Sequence, residues 1–344
     1  MQKPELPNQG DQNDSTPFLS IIVPTYQRAA RLERLLVWLF AQAVNRQRSE
    51  LIIVDDGSAD DTWKVLSHAA EGQSWLRPFR QSNQGQAAAR QLGVDNSRGD
   101  VLLFLDDDMQ PAAPDFFEQH RTFHSKANTV ALGGILPPPG DPQRPAFEYF
   151  YEKSIRRMYE DFSSGRQKPA GKHFFSANVS LPKRLFLSVG GFDRRYRHAE
   201  DRELGLRLEM KAGAQFCYLP AAAAYHHSPT GRYASFIRRA ELYGGYDLQM
   251  AALYPERLDL HPKSILENPP ALKRNLARLI WRFPSLPAQV NQLLVIAAEA
   301  LHRIGFTVLA LPFCSVLYTI NYARGLRLAS PTTHAPEKDA SHAA

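Results

Sequence analysis

The chain has 344 residues, enough for one large α/β domain and an appendage, and its 44% hydrophobic content excludes a disordered polymer. A formal net charge of +6 favours anionic partners such as nucleotides or phospholipid surfaces. Nucleic acid is disfavoured, because the basic residues are scattered and no zinc-finger or RNA-binding signature occurs. Two distant cysteines, Cys217 and Cys314, argue against a disulfide framework and suit a reducing compartment.

Residues 1–17 read as a loose polar tail without a leader. A first strand is expected over 19–23 (LSIIV), closed by Pro24-Thr25-Tyr26. Leu32, Leu35, Leu36 and Leu39 recur at helical spacing and predict a helix over 31–43. A second strand, 50–54 (ELIIV), stops at Asp55-Asp56-Gly57-Ser58 and leads into a helix over 62–70. A strand including 77–80 follows, then a helix opening near Gly85 and carrying Arg90. Strand 101–105 (VLLFL) runs straight into Asp106-Asp107-Asp108. Alternating apolar strands and helices predict a parallel sheet covered on both faces. In such sheets the ligand sits at the carboxyl ends of the strands, which is where each of these polar clusters falls.

The middle is less regular. Pro137-Pro138-Pro139-Gly140 breaks the chain, and the aromatic and basic stretch 147–171 reads as a mobile loop with a helix. Order is expected again over 173–181, then a helix over 183–189, a turn at 190–193 and a helix over 200–211. Short strands at 216–219 and 221–226 precede a helix over 233–254, and 262–287 reads as an interrupted connector. Val290, Leu293, Leu294, Ala297, Ala298 and Leu301 mark an amphipathic helix. Residues 304–323 carry no charge, a length able to span a bilayer, although Pro312, Ser315, Thr319 and Asn321 weaken that reading. The expected organisation is a tail 1–17, a domain 18–255, a helical region 256–328 and a tail 329–344.

Five clusters can carry chemistry. Three adjacent carboxylates repel one another unless solvated or neutralised, and Mg²⁺ or Mn²⁺ is a natural partner for Asp106, Asp107 and Asp108. Asp55-Asp56 can accept hydrogen bonds from a base or ribose, or serve the turn that starts the next helix. A calcium loop is excluded there, because the twelfth position counted from Asp55 is Leu66 rather than Glu. Asn83-Gln84-Gly85-Gln86 opens a helix whose N–H groups suit phosphate, while Arg90 pairs with phosphate or with a local carboxylate. Glu200-Asp201 either complements a helix dipole or supplies a general base. His226-His227 is either a surface pair or a metal ligand.

These blocks, in order, resemble family 2 glycosyltransferases of the GT-A fold: SIIVPTYQR at 20–28, LIIVDDGSADDT at 51–62, NQGQAAARQLGVDNSRGDVLLFLDDD at 83–108, FSANVSLPKRLFLSVGGFD at 175–193, AEDRELGLRL at 199–208 and YHH at 225–227. The resemblance covers 19–254. It implies a Rossmann-like mixed sheet flanked by helices, with a C-terminal helical appendage. It implies that Pro24, Thr25, Tyr26, Arg28, Asp56, Gln84 and Arg90 bind the nucleotide, with Asp106 and Asp107 toward the ribose. Asp106 and Asp108, completed by His226, would hold Mn²⁺ or Mg²⁺. Asp201 would be the base, with Glu200 as fallback, and Ser176 and Asn178 would border the sugars.

The implied reaction is inverting transfer of a single sugar from a nucleotide-sugar donor, UDP-sugars being favoured, to a glycan or lipid-linked acceptor. No Q-x-x-R-W motif follows the ED block, so a polymer-extruding synthase is not expected. The rivals are a non-catalytic binding protein of the same fold and a sugar-phosphate nucleotidyltransferase. The expected location is the cytoplasmic face of a membrane, with the C-terminal region as a surface contact or, alternatively, as a helical cap.

Overall fold

The computed structural model describes residues 18–124, 128–139, 144–196, 198–227, 232–260, 271–283 and 287–330. The expectations for the two tails and for much of the 262–287 connector lie outside these residues. By internal contacts the chain divides into two units: one built from the described residues of 1–135 and 165–225, the other from those of 136–164 and 226–344.

The first unit holds eight strands: β1 (Leu19–Thr25), β2 (Ser49–Asp55), β3 (Leu76–Arg80), β4 (Val101–Leu105), β5 (Met109–Pro111), β6 (Thr129–Leu136), β7 (Asn178–Pro182) and β8 (Gln215–His226). Its helices are α1 (Ala29–Phe40), α2 (Thr62–Ala70), α3 (Gln86–Asp95), α4 (Phe116–Phe123), α6 (Lys183–Ser188) and α7 (Glu200–Ala212), α5 belonging to the second unit. The sheet order is β3-β2-β1-β4-β7-β6-β8-β5. Strands β3, β2, β1 and β4 run parallel, whereas β7 is antiparallel to both β4 and β6. The expected parallel sheet is therefore mixed, as the family resemblance implies.

Alternation along each strand sends side chains to two cores. Ile21, Val23, Leu51, Ile53, Leu103 and Leu105 pack with Leu32, Leu36, Leu66, Phe116 and Phe117. Ile22, Ile52, Val54, Leu102 and Phe104 face the other way, against Ala89, Val94, Phe186, Leu204 and Leu208. Both faces are covered, which is why these strands read as unbroken apolar runs. Strands β1 and β4 are neighbours while their successors lead to opposite sides, so a crevice opens beyond their carboxyl ends.

Three local readings are corrected. The stretch 147–171, expected as a mobile loop with a helix, is mostly an 18-residue helix, α5 (Ala146–Ser163), in which Ala146, Phe147, Tyr159 and Phe162 are buried. The two short strands at 216–226 are one, since Pro220 is accommodated within β8. Helix α4 and strands β5 and β6 were not anticipated; their residues lack long periodic runs.

The second unit also contains α8 (Tyr233–Leu253), α9 (Ala271–Arg282), α10 (Pro287–Arg303) and α11 (Thr307–Ala329). Phe147, Phe236, Ala298, Ala310, Cys314 and Leu317 form its core. Helices α8 and α11 approach so closely that a Cβ on Gly325 would lie 1.9 Å from the Glu241 carbonyl oxygen. A buried amide pair, Asn291 with Asn321 at 2.9 and 2.8 Å, ties α10 to α11. No helix among the described residues, that over 307–329 included, is long and apolar enough to cross a membrane.

Candidate active site

The crevice is a cleft of about 420 Å³ within the first unit. Pro24, Thr25, Tyr26 and Arg28 line it from the end of β1, Asp56 from the end of β2, and Asp106 to Asp108 from the end of β4. Asn83, Gln84, Gly85 and Gln86 close it at the start of α3, together with His198. That volume falls in the range of small-molecule sites.

Asp107 sits where β1 and β4 diverge. It accepts a hydrogen bond from Thr25 Oγ1 at 2.8 Å and pairs with Arg28. Burial raises its pKa to about 6, with Arg28 opposing and Asp108 adding to the rise. Asp108 lies 3.2 Å from Arg31 Nη1 and 3.4 Å from Arg28 Nη1. Arg28 caps the start of α1 and Arg31 lies in its first turn, so both reach the acidic trio from the start of that helix. For Arg28, burial disfavours the charge, but Asp107 and Asp108 outweigh it and the pKa rises.

Asp56 does not present a free carboxylate to the cleft. Its Oδ1 accepts from Gln81 Nε2 (2.7 Å) and the Gln84 amide (2.9 Å), and its Oδ2 from the Gly85 amide (2.8 Å). It therefore pins the loop that forms the cleft wall. Asp55 lies behind it, accepting from the Ser58 amide and hydroxyl at 3.0 and 2.5 Å and pairing with Arg80. Gly57 adopts φ +77°, and a Cβ there would meet the Asn83 nitrogen at 2.7 Å, so only glycine fits this turn. Gln27 (φ 50°), beside Arg28, and Ala199 (φ 58°), beside Glu200, are left-handed non-glycine residues. Such strain gathers where a site is held in place by its surroundings.

Arg90 does not line the cleft. Its buried guanidinium bridges Asp106 Oδ1 (2.6 Å) and Glu200 Oε1 (2.9 Å), the pairing with local carboxylates that the sequence left open beside phosphate. Gln86, on the cleft wall, donates to the same Glu200 oxygen at 2.6 Å. Glu200 is buried, and its pKa is raised to about 7 by that burial and by Asp201, with Arg90 opposing. Asp201 keeps part of its surface exposed and accepts from the Arg202 amide (2.7 Å) and the Ser176 amide (3.3 Å). Burial raises its pKa too, Arg90 again opposing.

Asn178 is placed away from the cleft. Its amide donates to the Gly134 and Ala222 carbonyls at 3.0 and 2.9 Å and accepts from His120 Nε2 at 3.0 Å, joining β7 to its neighbours in the buried sheet. His226 is the last residue of β8 and falls in the second unit. Sequence reasoning missed Arg31 and His198. The spacing of Arg31 from Arg28 was a usable signal; His198 lies in an irregular segment with none.

A metal would need hard oxygen donors. Asp106 and Asp108 supply them on the cleft wall, and Asp106 is the most exposed of the three. Among the described residues no group of three or more His, Cys, Asp or Glu side chains is arranged to hold a metal ion. The donor set fits a cation that shares its shell with substrate phosphates and water.

The mixed sheet, with its acidic cleft at the strand ends, has the GT-A fold. Residues 20–184 match the model of glycosyl transferase family 2. It is 31% identical over 218 residues to validoxylamine A glucosyltransferase of Streptomyces hygroscopicus subsp. jinggangensis, covering 56% of this chain and 51% of that one. The chain thus spans about half the length of that relative. It is 24% identical over 219 residues to glucosyl-dolichyl phosphate glucuronosyltransferase of Haloferax volcanii, covering 60% and 68%. The fold matches a mannosyltransferase from Pyrobaculum calidifontis, solved in complex with GDP-Man and Mn²⁺, with TM-score 0.60, 20% identity and coverage of 88% and 87%.

Proposed function

We propose that the chain transfers a single sugar, with inversion, from a nucleotide-diphosphate sugar to an acceptor hydroxyl in bacterial glycan or glycolipid synthesis. The observation that carries this reading is the convergence of Asp106, Asp107 and Asp108 on one cleft with the start of α3. The nucleotide lies against Pro24, Thr25 and Tyr26, and its diphosphate points toward the acidic trio. A UDP-sugar is the favoured donor; the mannosyltransferase of similar fold holds GDP-Man, so the base is open to a screen.

Asp106 and Asp108 are the residues that would hold Mn²⁺ or Mg²⁺. When bound, such a cation neutralises the diphosphate leaving group. Asp201 accepts the proton of the acceptor hydroxyl, whose oxygen then bonds to the anomeric carbon as the bond to the diphosphate oxygen breaks. Two backbone amides orient Asp201, and it is more exposed than Glu200, which favours it as the base. Ser176 borders the sugars through its neighbour Asp201. Arg28 and Arg31 balance the trio's charge while no donor is present, and Arg28, on the cleft wall, is then available to the diphosphate.

The test is a panel of nucleotide sugars with Mn²⁺, reading release of nucleoside diphosphate, alongside Asp108→Ala and Asp201→Ala. One donor should turn over, and both variants should fail. If nucleotide binds but nothing turns over with lipid and glycan acceptors supplied, a binding protein of this fold is the better reading. Formation of a nucleotide sugar from a sugar phosphate would instead establish the nucleotidyltransferase alternative.

A further inference from the structure

The chain's excess charge is concentrated in one place. Residues 271–330 contain seven Lys and Arg and a single acid, Glu299, a net of +6 that equals the whole chain's formal charge. Helix α9 alone carries Lys273, Arg274, Arg278 and Arg282 and no acid.

The same region exposes apolar side chains that a water-facing helix would not keep. Leu293 is 69% exposed, Ile304 67% and Val308 75%, and Ile296, Phe306 and Leu309 are exposed as well. At about 100° per residue, Leu293, Ile296, Ala300 and Ile304 fall on one narrow stripe. Phe306, Val308 and Leu309 continue it around the turn into α11. These residues are not a loose end. The opposite sides of both helices are buried through Ala298, Ala310, Cys314 and Leu317, and the Asn291–Asn321 pair holds the hairpin closed. Exposed Leu279 and Phe283 add to the apolar surface beside Arg278 and Arg282.

We propose that this surface binds the face of an anionic phospholipid bilayer, with the α10–α11 turn inserted among the acyl chains and the arginines of α9 at the headgroups. Exposed apolar side chains in a region with a net positive charge suit a lipid interface. The absence of any crossing helix among the described residues makes the contact in-plane. The inference goes beyond the proposed transfer reaction and needs no donor or turnover.

The experiment is co-sedimentation of the full chain with vesicles of phosphatidylcholine, with or without phosphatidylglycerol. Binding should be at least about tenfold tighter with phosphatidylglycerol and should weaken as salt is raised. Arg278→Glu/Arg282→Glu should lose more than about tenfold. Ile304→Ser/Val308→Ser should weaken binding similarly, while thermal unfolding stays cooperative. Lys64→Glu, an exposed basic residue of the other unit, should bind as the parent does. No sedimentation with either vesicle, or unchanged binding by the serine variant, overturns the proposal. So does a lipid-free dimer that the serine variant abolishes, because a second copy would then cover the surface. Nucleotide affinity measured in parallel separates this outcome from failure of the proposed function.

Discussion

Arg90 Nη1 lies 2.9 Å from Glu200 Oε1, and both side chains are only 1% exposed. The same guanidinium holds Asp106 at 2.6 Å, so one arginine from α3 joins the acidic end of β4 to the first residue of α7. Removing one member leaves the other charge buried and unpaired. Arg90→Ala should lower unfolding free energy by about 3–5 kcal/mol, read by urea titration. Arg90→Lys should rescue little, because a point charge cannot reach both carboxylates in fork geometry.

The Glu200–Asp201 pair makes turnover sensitive to pH near neutrality. With Glu200 raised to about 7 and Asp201 raised alongside it, kcat should fall as pH is lowered through that region. Glu200→Gln should move the acid limb downward, because it removes a neighbouring negative charge. The effect on stability has the opposite direction. A carboxyl raised from 4.5 adds stability below pH 4.5 that is lost as pH rises to about 7. An acid limb that stays put in Glu200→Gln would count against this coupling.

His120 and His124 act on stability in the reverse sense. Both share the Ser180 hydroxyl, at 2.8 and 2.7 Å, and burial lowers their pKa values to about 3 and 4. Their neutrality is a stability contribution that is complete above pH 6.5 and is lost as pH falls toward the folded values. Each should add up to about 1.4 kcal/mol per pH unit to the slope between pH 6 and 5. Urea titrations of His120→Gln and Glu200→Gln at several pH values separate the two opposed slopes.

Asp56 should prove to be a residue of loop geometry as much as of ligand contact. Asp56→Asn turns one acceptor oxygen into a donor facing a backbone N–H, at a cost of about 1–3 kcal/mol. Nucleotide affinity should fall by more than about tenfold through the displaced wall at Gln84 and Gly85. A direct base contact alone would lower affinity without changing unfolding, so the two measurements together distinguish the roles.

Much of the fold was legible from local pattern. Helix 62–70 and strand 101–105 were read at their observed limits, because apolar periodicity and turn residues act within a few positions. The order of polar clusters at strand ends also followed from the sequence, since alternating strands and helices oblige them to share one edge. Helix α5 was partly hidden because its buried residues, Ala146, Phe147, Tyr159 and Phe162, do not recur along it at helical spacing.

The sequence by itself determined which carboxylates gather at the cleft and which stretch is apolar without charge. Only the tertiary structure decided what each side chain does there. Arg90 is committed to two carboxylates, Asp56 to a loop, and Asn178 to the sheet, because their partners lie between 16 and 110 residues away in the chain. The same holds for 304–323. Composition made it a candidate span, but the packing of Ala310, Cys314 and Leu317 buries one side and leaves Ile304 and Val308 outside. Hydrogen-bond geometry and burial depend on neighbours brought together by folding, and no local pattern encodes them.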